Sequence, residues 1–384
     1  MIRVLHVVGG LGLGGVEQWL VQVMRAIDRD RFQFDFVVHQ DAEGMHLGAA
    51  RDLGARVEVI SLADEHRGSL RRAVRTAQYG RDLLRILQMR HYDVVHAHQH
   101  HFSSFAVLAA KKASVPIRIV QSHTDTGPVD RRAALARRAY LLAAGVCIRR
   151  YSTGQLAANE LAARSLFGRR WRAECRILYY GTDVRRFVES ADQHEYRRAL
   201  GLAPDAWVVG HAGRFVELKN HRFLLRIAAE LALIEPRFHL LLVGDGPLHG
   251  EMINQANEYG LSERVTFLGS RRDVPELMVN AMDAYLMPSL YEGLPIAVVE
   301  AQAAGLPCLV SSSVSAETKA VPGLFRQLSL TASPSTWAAE LHAFRPVVDR
   351  KVALEQVERG PFNIANSARA LTSFYEEQRC HLGT

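Results

Sequence analysis

Two carboxylates and two cations are the residues of this sequence best placed to do chemistry. Glu292 and Glu300 stand eight residues apart in a segment that opens Pro288-Ser289-Leu290-Tyr291-Glu292-Gly293-Leu294-Pro295 and runs on to Glu300-Ala301. Eight residues of helix are a little over two turns, which would put both carboxylates on one face, ~12 Å apart along the axis. A carboxylate accepts two hydroxyl hydrogen bonds and so suits a sugar. Gly293 and Pro295 place Glu292 at the helix entrance, where the N–H groups near Gly293 and Leu294 would face phosphate oxygens. The plainer alternative is one Glu favoured by the helix dipole and one surface Glu. Upstream, Gly213-Arg214-Phe215-Val216-Glu217-Leu218-Lys219-Asn220 delivers Arg214 at a strand end and Lys219 at a helix start. Two such cations could neutralise a departing diphosphate. Equally, Lys219 could be a surface residue and Arg214 the partner of a carboxylate.

Glycine loops and histidines supply the other candidates. Gly10, Gly12 and Gly15 fit G-x-G-x-x-G between a strand and a helix, a loop whose backbone can approach a diphosphate. A nicotinamide dinucleotide would also want an acidic residue at the end of the second strand, which instead reads Val37-Val38-His39-Gln40; Asp41 is a poor substitute. A purely structural glycine turn stays open. Leu242-Val243-Gly244-Asp245-Gly246-Pro247 and Phe267-Leu268-Gly269 are further strand-to-turn glycines that could frame a planar base or be ordinary turns. His96 and His98 would point the same way on a strand, with His100 and His101 close behind, a pattern that invites a metal.

The elements that must hold these residues alternate between strand and helix, twice over. Ile2–Val8, Phe34–Val38, Val57–Ile60, Val94–His98 and Ile117–Gln121 read as strands of a first series, with a helix over Val16–Ile27. A second series has strands at Trp207–His211, Phe238–Val243, Val265–Leu268, Ala284–Met287 and Cys308–Ser311, and helices at Asn220–Ile234, His249–Tyr259 and Glu292–Ala304. This predicts an α/β protein of two Rossmann-like, doubly wound domains. Ligands of such sheets bind beyond the carboxyl ends of the strands, so two facing domains would form a central cleft. The boundary is placed at residues 1–184 and 185–364, with 365–384 a C-terminal helix packing back on the first domain. Eleven of the 13 prolines fall after residue 200, a matching shift of composition.

Charge divides at the same place. Residues 1–184 hold 27 Lys+Arg against 17 Asp+Glu, whereas residues 185–384 hold 20 against 23. A basic first half suggests an anionic partner, or simply an arginine-rich surface. Two stretches concentrate it: Arg67–Arg90, with Arg67, Arg71, Arg72, Arg75, Arg81, Arg85 and Arg90, and Arg131–Arg150, with Arg131, Arg132, Arg137, Arg138, Arg149 and Arg150. Both read as basic amphipathic helices able to lie on anionic headgroups. No nucleic-acid module or aromatic stacking series accompanies them. The longest apolar run, Ala139–Ile148, is too short for a membrane span. The start reads as a first strand and not as a signal peptide, and four cysteines without a C-x-x-C pair suit a reducing compartment. A cytoplasmic protein, peripheral at the inner face of the membrane, is the expectation.

Taken in order, Gly14-Gly15-Val16-Glu17, Gly213-Arg214 with Lys219-Asn220, VGDGP, FLG and PSLYEGLPIAVVEAQAAGLP resemble glycosyltransferase family 4, of the GT-B architecture. The E-x7-E spacing from Glu292 to Glu300 is a hallmark of these retaining enzymes, and the flavour is that of bacterial exopolysaccharide and capsule hexosyltransferases. The resemblance covers nearly the whole chain and implies the following roles. Arg214 and Lys219 hold the donor diphosphate. Glu300 bonds the ribose hydroxyls, and Glu292 the transferred sugar. Gly293 and Leu294 offer N–H groups, Gly244 and Leu268 frame the nucleotide, and Gly14 and Gly15 close over the diphosphate. His123, after the fifth strand, matches the family's active-site histidine. The donor is a nucleotide diphosphate sugar, most commonly a UDP-sugar; the acceptor is a saccharide or a lipid diphosphate-linked saccharide.

The resemblance also implies that no divalent metal or other cofactor is needed, and the histidines at 96–101 are then read as lining the acceptor side of the cleft. A front-face route, in which the leaving phosphate takes the acceptor proton, would leave both carboxylates binding and neither attacking. One departure stands out: the family's Asn-Gly-Ile/Val-Asp after the junction is Tyr180-Gly181-Thr182-Asp183 here. A sugar-nucleotide epimerase, a dehydrogenase and a non-catalytic sugar-nucleotide-binding protein are the rival functions.

Overall fold

The computed structural model describes residues 1–12, 14–39, 45–61, 69–126, 134–188, 192–345 and 348–383, without the side chains of residues 45 and 69–77. Asp41, Arg67, Arg131 and Arg132, and the side chains of Arg71, Arg72 and Arg75, therefore lie outside the described residues. The chain forms two compact units, Met1–Gly181 with Ile364–Thr384, and Thr182–Asn363.

The first unit is built on seven parallel strands: β1 (Ile2–Val7), β2 (Phe32–Val38), β3 (Val57–Val59), β4 (Val94–Ala97), β5 (Ile117–Ser122), β6 (Gly154–Ala157) and β7 (Cys175–Ile177). Their order is β3-β2-β1-β4-β5-β6-β7, so the winding reverses between β1 and β4. Near-continuous apolar runs such as Ile2–Val7 are what a sheet covered on both faces demands. The register sets Val4 against Val94 and His6 against His96. β6 and β7 were not foreseen. β6 reads GQLA and β7 is three residues long, so neither carries a β-branched run. Gly154 has a packing reason: a Cβ there would sit 2.9 Å from the ring of Phe374. Phe374 lies on the helix Ile364–His381, which buries Leu371, Phe374 and Tyr375 in this unit. Each fully buried aromatic of this kind stabilises by about 1.5–3 kcal/mol before entropy is counted.

The second unit has six parallel strands: β8 (Trp207–Ala212), β9 (Phe238–Val243), β10 (Val265–Phe267), β11 (Ala284–Met287), β12 (Cys308–Ser311) and β13 (Phe325–Leu328). Their order is β10-β9-β8-β11-β12-β13, with the reversal between β8 and β11. β13 reads FRQL with two exposed positions, a pattern too polar to stand out in the sequence. The core packs Phe215, Leu224, Ile227 and Leu231 against Leu240, Leu242 and Trp337.

The helix expected over Glu292–Ala304 begins later, at Ile296, and ends at Ala303. Pro295 caps it in extended backbone (φ −72°, ψ 95°), and a residue before proline is pushed out of the helical region. Gly293 and Leu294 are therefore outside the helix, and the N–H groups at its start belong to Ile296 and Ala297. Two basic helices are present, Ser69–Met89 and Leu135–Tyr151.

Candidate functional site

In the second unit the loops after β8 and β11 meet at the point where the winding reverses, the position where open parallel sheets bind ligands. The end of β8 is pinned to β11 by Tyr285, whose hydroxyl accepts from the Ala212 N–H (3.2 Å) and donates to the Ala212 carbonyl (3.1 Å). Asn220 donates to the Pro288 carbonyl (3.0 Å), and the Leu290 N–H donates to the Leu218 carbonyl (2.8 Å). Asn220 takes a left-handed conformation (φ 56°), which asparagine tolerates, and so turns the chain from the short 3-10 turn Glu217–Lys219 into the helix His221–Ile234.

These cross-links bring Lys219 and Glu292 together. Lys219 Nζ lies 2.7 Å from Glu292 Oε1, with the two side chains only 17% and 10% exposed. Arg214 is exposed, and among the described residues it has no carboxylate partner. Glu300 is buried inside its helix and accepts from the Thr182 hydroxyl at 2.8 Å. Burial raises its pKa, against the pull of that hydrogen bond. Burial raises the Tyr285 pKa against the pull of its Ala212 hydrogen bond, and the negative charges of Glu300 and Glu292 act in the same direction as burial.

Gly244 and Gly246 explain the VGDGP segment. Gly244 has φ +136°, and a Cβ on it would fall 2.0 Å from the Gly213 carbonyl oxygen. A Cβ on Gly246 would fall 2.5 Å from the Phe215 carbonyl oxygen. Only bare backbone lets these two loops lie against each other, with the Gly213 N–H on Val243 O (2.9 Å) and the Phe215 N–H on Asp245 O (3.0 Å). The Leu268 N–H is spent on the Leu242 carbonyl (2.9 Å) and is not offered to a ligand.

A residue not singled out in the sequence, His211, sits beneath the loop. Its Nδ1 bonds the Leu286 carbonyl (2.8 Å), and burial pulls its pKa down to about 4, with the Lys219 charge acting in the same direction. Gly213 makes room there: a Cβ would be 3.1 Å from His211 Nε2 and 3.3 Å from Lys219 Cε.

In the first unit Gly14 caps the helix Gly15–Ala26. The Glu17 carboxylate folds back over this helix start, 2.0 Å from where a Gly14 Cβ would stand, and burial raises its pKa. His123 follows β5. Its Nε2 shares a 2.9 Å hydrogen bond with His98 Nδ1, and its Nδ1 bonds the Tyr180 hydroxyl. Burial holds the His123 pKa at about 3, so the ring is neutral. His96 and His98 do not line a surface as the sequence reading had them: both are buried, facing His6. His100 and His101 form a half-buried pair with their Nδ1 atoms 2.8 Å apart.

Tyr180 and Thr182 are both departures from the family pattern, and both turn out to touch predicted site residues, His123 and Glu300. Nothing in the sequence alone could have shown it, because the pairs are 57 and 118 residues apart.

The comparisons with known proteins agree with this architecture. Residues 13–213 match the family described as Glycosyltransferase Family 4, and residues 192–337 match Glycosyl transferases group 1. A Bacillus subtilis (strain 168) protein named as glycosyltransferase EpsF is 37% identical over 347 residues, covering 88% of this chain and 86% of the relative. The UDP-Gal:alpha-D-GlcNAc-diphosphoundecaprenol alpha-1,3-galactosyltransferase of Escherichia coli is 28% identical over 237 residues, 60% of each chain. The solved structure of Anabaena HepE in complex with UDP-glucose superposes with a TM-score of 0.80 at 19% identity, covering 98% of this chain and all of that one. The two parallel sheets with their alternating helices are those of the GT-B fold, and the chain belongs to glycosyltransferase family 4.

Proposed function

We propose that this hexosyltransferase moves a sugar from a UDP-sugar to a saccharide carried on a lipid diphosphate, with retention at the anomeric carbon, in the synthesis of a bacterial surface polysaccharide. The observation that carries this reading is the Lys219–Glu292 pair at the reversal point of the second sheet, with the exposed Arg214 on the same loop. Arg214 and Lys219 neutralise the departing diphosphate, where fixed charge is worth most. The start of the helix Ile296–Ala303 adds its dipole. Glu292 and Glu300 grip hydroxyls of the sugar and the ribose. Gly293 and Leu294 shape the backbone between Glu292 and the helix, and Gly244 and Leu268 frame the nucleotide. From the first unit we assign Gly14 and Gly15 to the diphosphate and His123 to the sugar. No divalent ion is assigned to the diphosphate, since two cations and a helix start are available to it.

A thermal-shift screen of nucleotide sugars tests the donor. UDP-sugars are expected to raise the melting temperature of the native chain, and Glu300→Ala and Arg214→Ala to abolish the rise. A full shift in both variants would remove these residues from the donor site.

The acceptor reading is supported by the lipid diphosphate acceptor in the name of the Escherichia coli relative and by one helix of this chain. Among the described residues no helix is long and apolar enough to cross a membrane. The helix Leu135–Tyr151, however, presents Leu135, Leu142 and Val146 to solvent at 81%, 72% and 58% exposure. With Ala139 their spacing is i, i+4, i+7, i+11, a single stripe, and the exposed Arg138, Arg149 and Arg150 border it. An apolar stripe edged by arginines fits the headgroup layer of an anionic bilayer. Co-sedimentation with phosphatidylglycerol vesicles is expected to fall ~tenfold in Leu142→Glu/Val146→Glu. Binding indifferent to anionic lipid, or unchanged in this variant, would leave the enzyme off the membrane.

A further inference from the structure

Four histidines of the first unit are buried or nearly so around one point of its sheet, and the transfer reaction uses at most His123. His6 stands on β1 and His96 beside it on β4, in register across the point where the winding reverses. His98 follows two residues on and so faces the same side. One ring nitrogen from each of His6, His96 and His98 can be chosen so that all three lie within 4.8 Å of one another. The rings are buried, and their nitrogens are not all accounted for: His6 Nε2 and His96 Nε2 have no hydrogen-bond partner. A buried imidazole nitrogen without a partner has lost the hydrogen bond water would give it, so the orphan on His96, with His6 and His98 close by, calls for an occupant.

We propose that His6, His96 and His98 are the ligands of a single divalent ion of the zinc class, held within the first unit. For His96 and His98 the second nitrogens support this. A ligating histidine normally gives its other ring N–H to an acceptor that fixes tautomer and orientation. His96 Nδ1 lies 2.7 Å from the Tyr375 hydroxyl, which leaves Nε2 for the ion. His98 Nδ1 lies 2.9 Å from His123 Nε2, which again leaves Nε2. In this site the ion takes His98 Nε2 and one nitrogen of His6 in place of the 3.0 Å hydrogen bond between His6 Nδ1 and His98 Nε2, and His6 alone of the three has no acceptor for its second nitrogen. Gln121, buried on β5, has its side-chain amide against His96, so its oxygen is on hand as a fourth ligand. Three imidazoles with at most one oxygen suit zinc and its neighbours better than magnesium or calcium.

The same geometry reaches His123. With His98 Nε2 on the ion, His98 Nδ1–H must donate to His123 Nε2, and His123 Nδ1–H must then donate to the Tyr180 oxygen. The ion would thus fix the tautomer of His123 through His98, while the diphosphate stays with Arg214 and Lys219.

The test uses the full chain without a histidine tag, purified from zinc-supplemented culture and dialysed. Elemental analysis is expected to find about one zinc per chain. After chelation and titration with Co2+, the visible bands of a low-coordinate cobalt–imidazole site should appear at one equivalent. His96→Asn keeps a nitrogen where Nδ1 meets Tyr375 but removes the Nε2 ligand, so it should fold with a native circular dichroism spectrum and lose both signals. His6→Ala should also lose them, and the neighbouring pair variant His100→Ala/His101→Ala, which removes no proposed ligand, should keep them. Less than about 0.2 zinc per chain, or unchanged cobalt bands in a folded His96→Asn, would overturn the site. None of these readouts depends on sugar transfer, so they stand apart from the proposed donor chemistry.

Discussion

Lys219→Ala is expected to lower kcat by roughly 10²–10³-fold, the loss typical of removing one preorganised group that stabilises developing negative charge. It should also destabilise the second unit. Lys219 and Glu292 are mostly shielded from water, and removing the cation leaves the Glu292 carboxylate unpaired. For a fully buried pair that costs about 3–5 kcal/mol; the residual exposure here argues for less, ~2–3 kcal/mol. The two effects separate in the double variant Lys219→Ala/Glu292→Gln. Neutralising both partners should restore most of the urea midpoint and none of the turnover. A double variant that regained activity along with stability would reduce Lys219 to a structural residue.

Gly244→Ala should be the most damaging single methyl in the second unit. At φ +136° an alanine is strained by about 1–3 kcal/mol before any contact is considered. Its Cβ would also fall 2.0 Å from the Gly213 carbonyl oxygen, which is backbone and has no rotamer to escape into. The loop carrying Arg214 must then move away from the loop after β9. We expect a loss of ~3 kcal/mol or more in urea denaturation, with the UDP-sugar thermal shift abolished. Gly250→Ala is the control, since a Cβ there meets nothing within 4 Å. Equal urea midpoints for the two variants would contradict the close approach of these loops.

The alternation of apolar runs made the two-sheet architecture legible, because both faces of a parallel strand are buried and its sequence becomes a continuous hydrophobic word. β6, β7 and β13 escaped for the same reason in reverse: GQLA, CRI and FRQL lack that signature and are placed by neighbours such as Phe374. Motif spacing singled out Lys219 and Glu292, but not that they form a pair, since their closeness is made by Asn220 on Pro288 and Leu290 on Leu218. The helix start was misjudged by four residues because the run of apolar residues from Leu294 hides the break at Pro295. His6 was invisible as a site residue: within Ile2–Val7 it looks like one polar letter in a buried strand, and only the register with His96 gives it meaning.

The helix Ile364–His381 belongs to the unit that begins at Met1, while residues 182–363 form the other unit by themselves. Trp19 waits for Ser367, 348 residues later, and His96 waits for Tyr375. On a ribosome adding ~5–20 residues per second, that wait after residue 181 lasts roughly 10 to 40 seconds. During it the first unit has all seven of its strands and lacks only the helix that covers one flank, while the second unit needs nothing made after residue 363. The unit begun first is therefore completed last, and the flank around Trp19 and Phe34 that this helix covers is the surface a holding chaperone would meet.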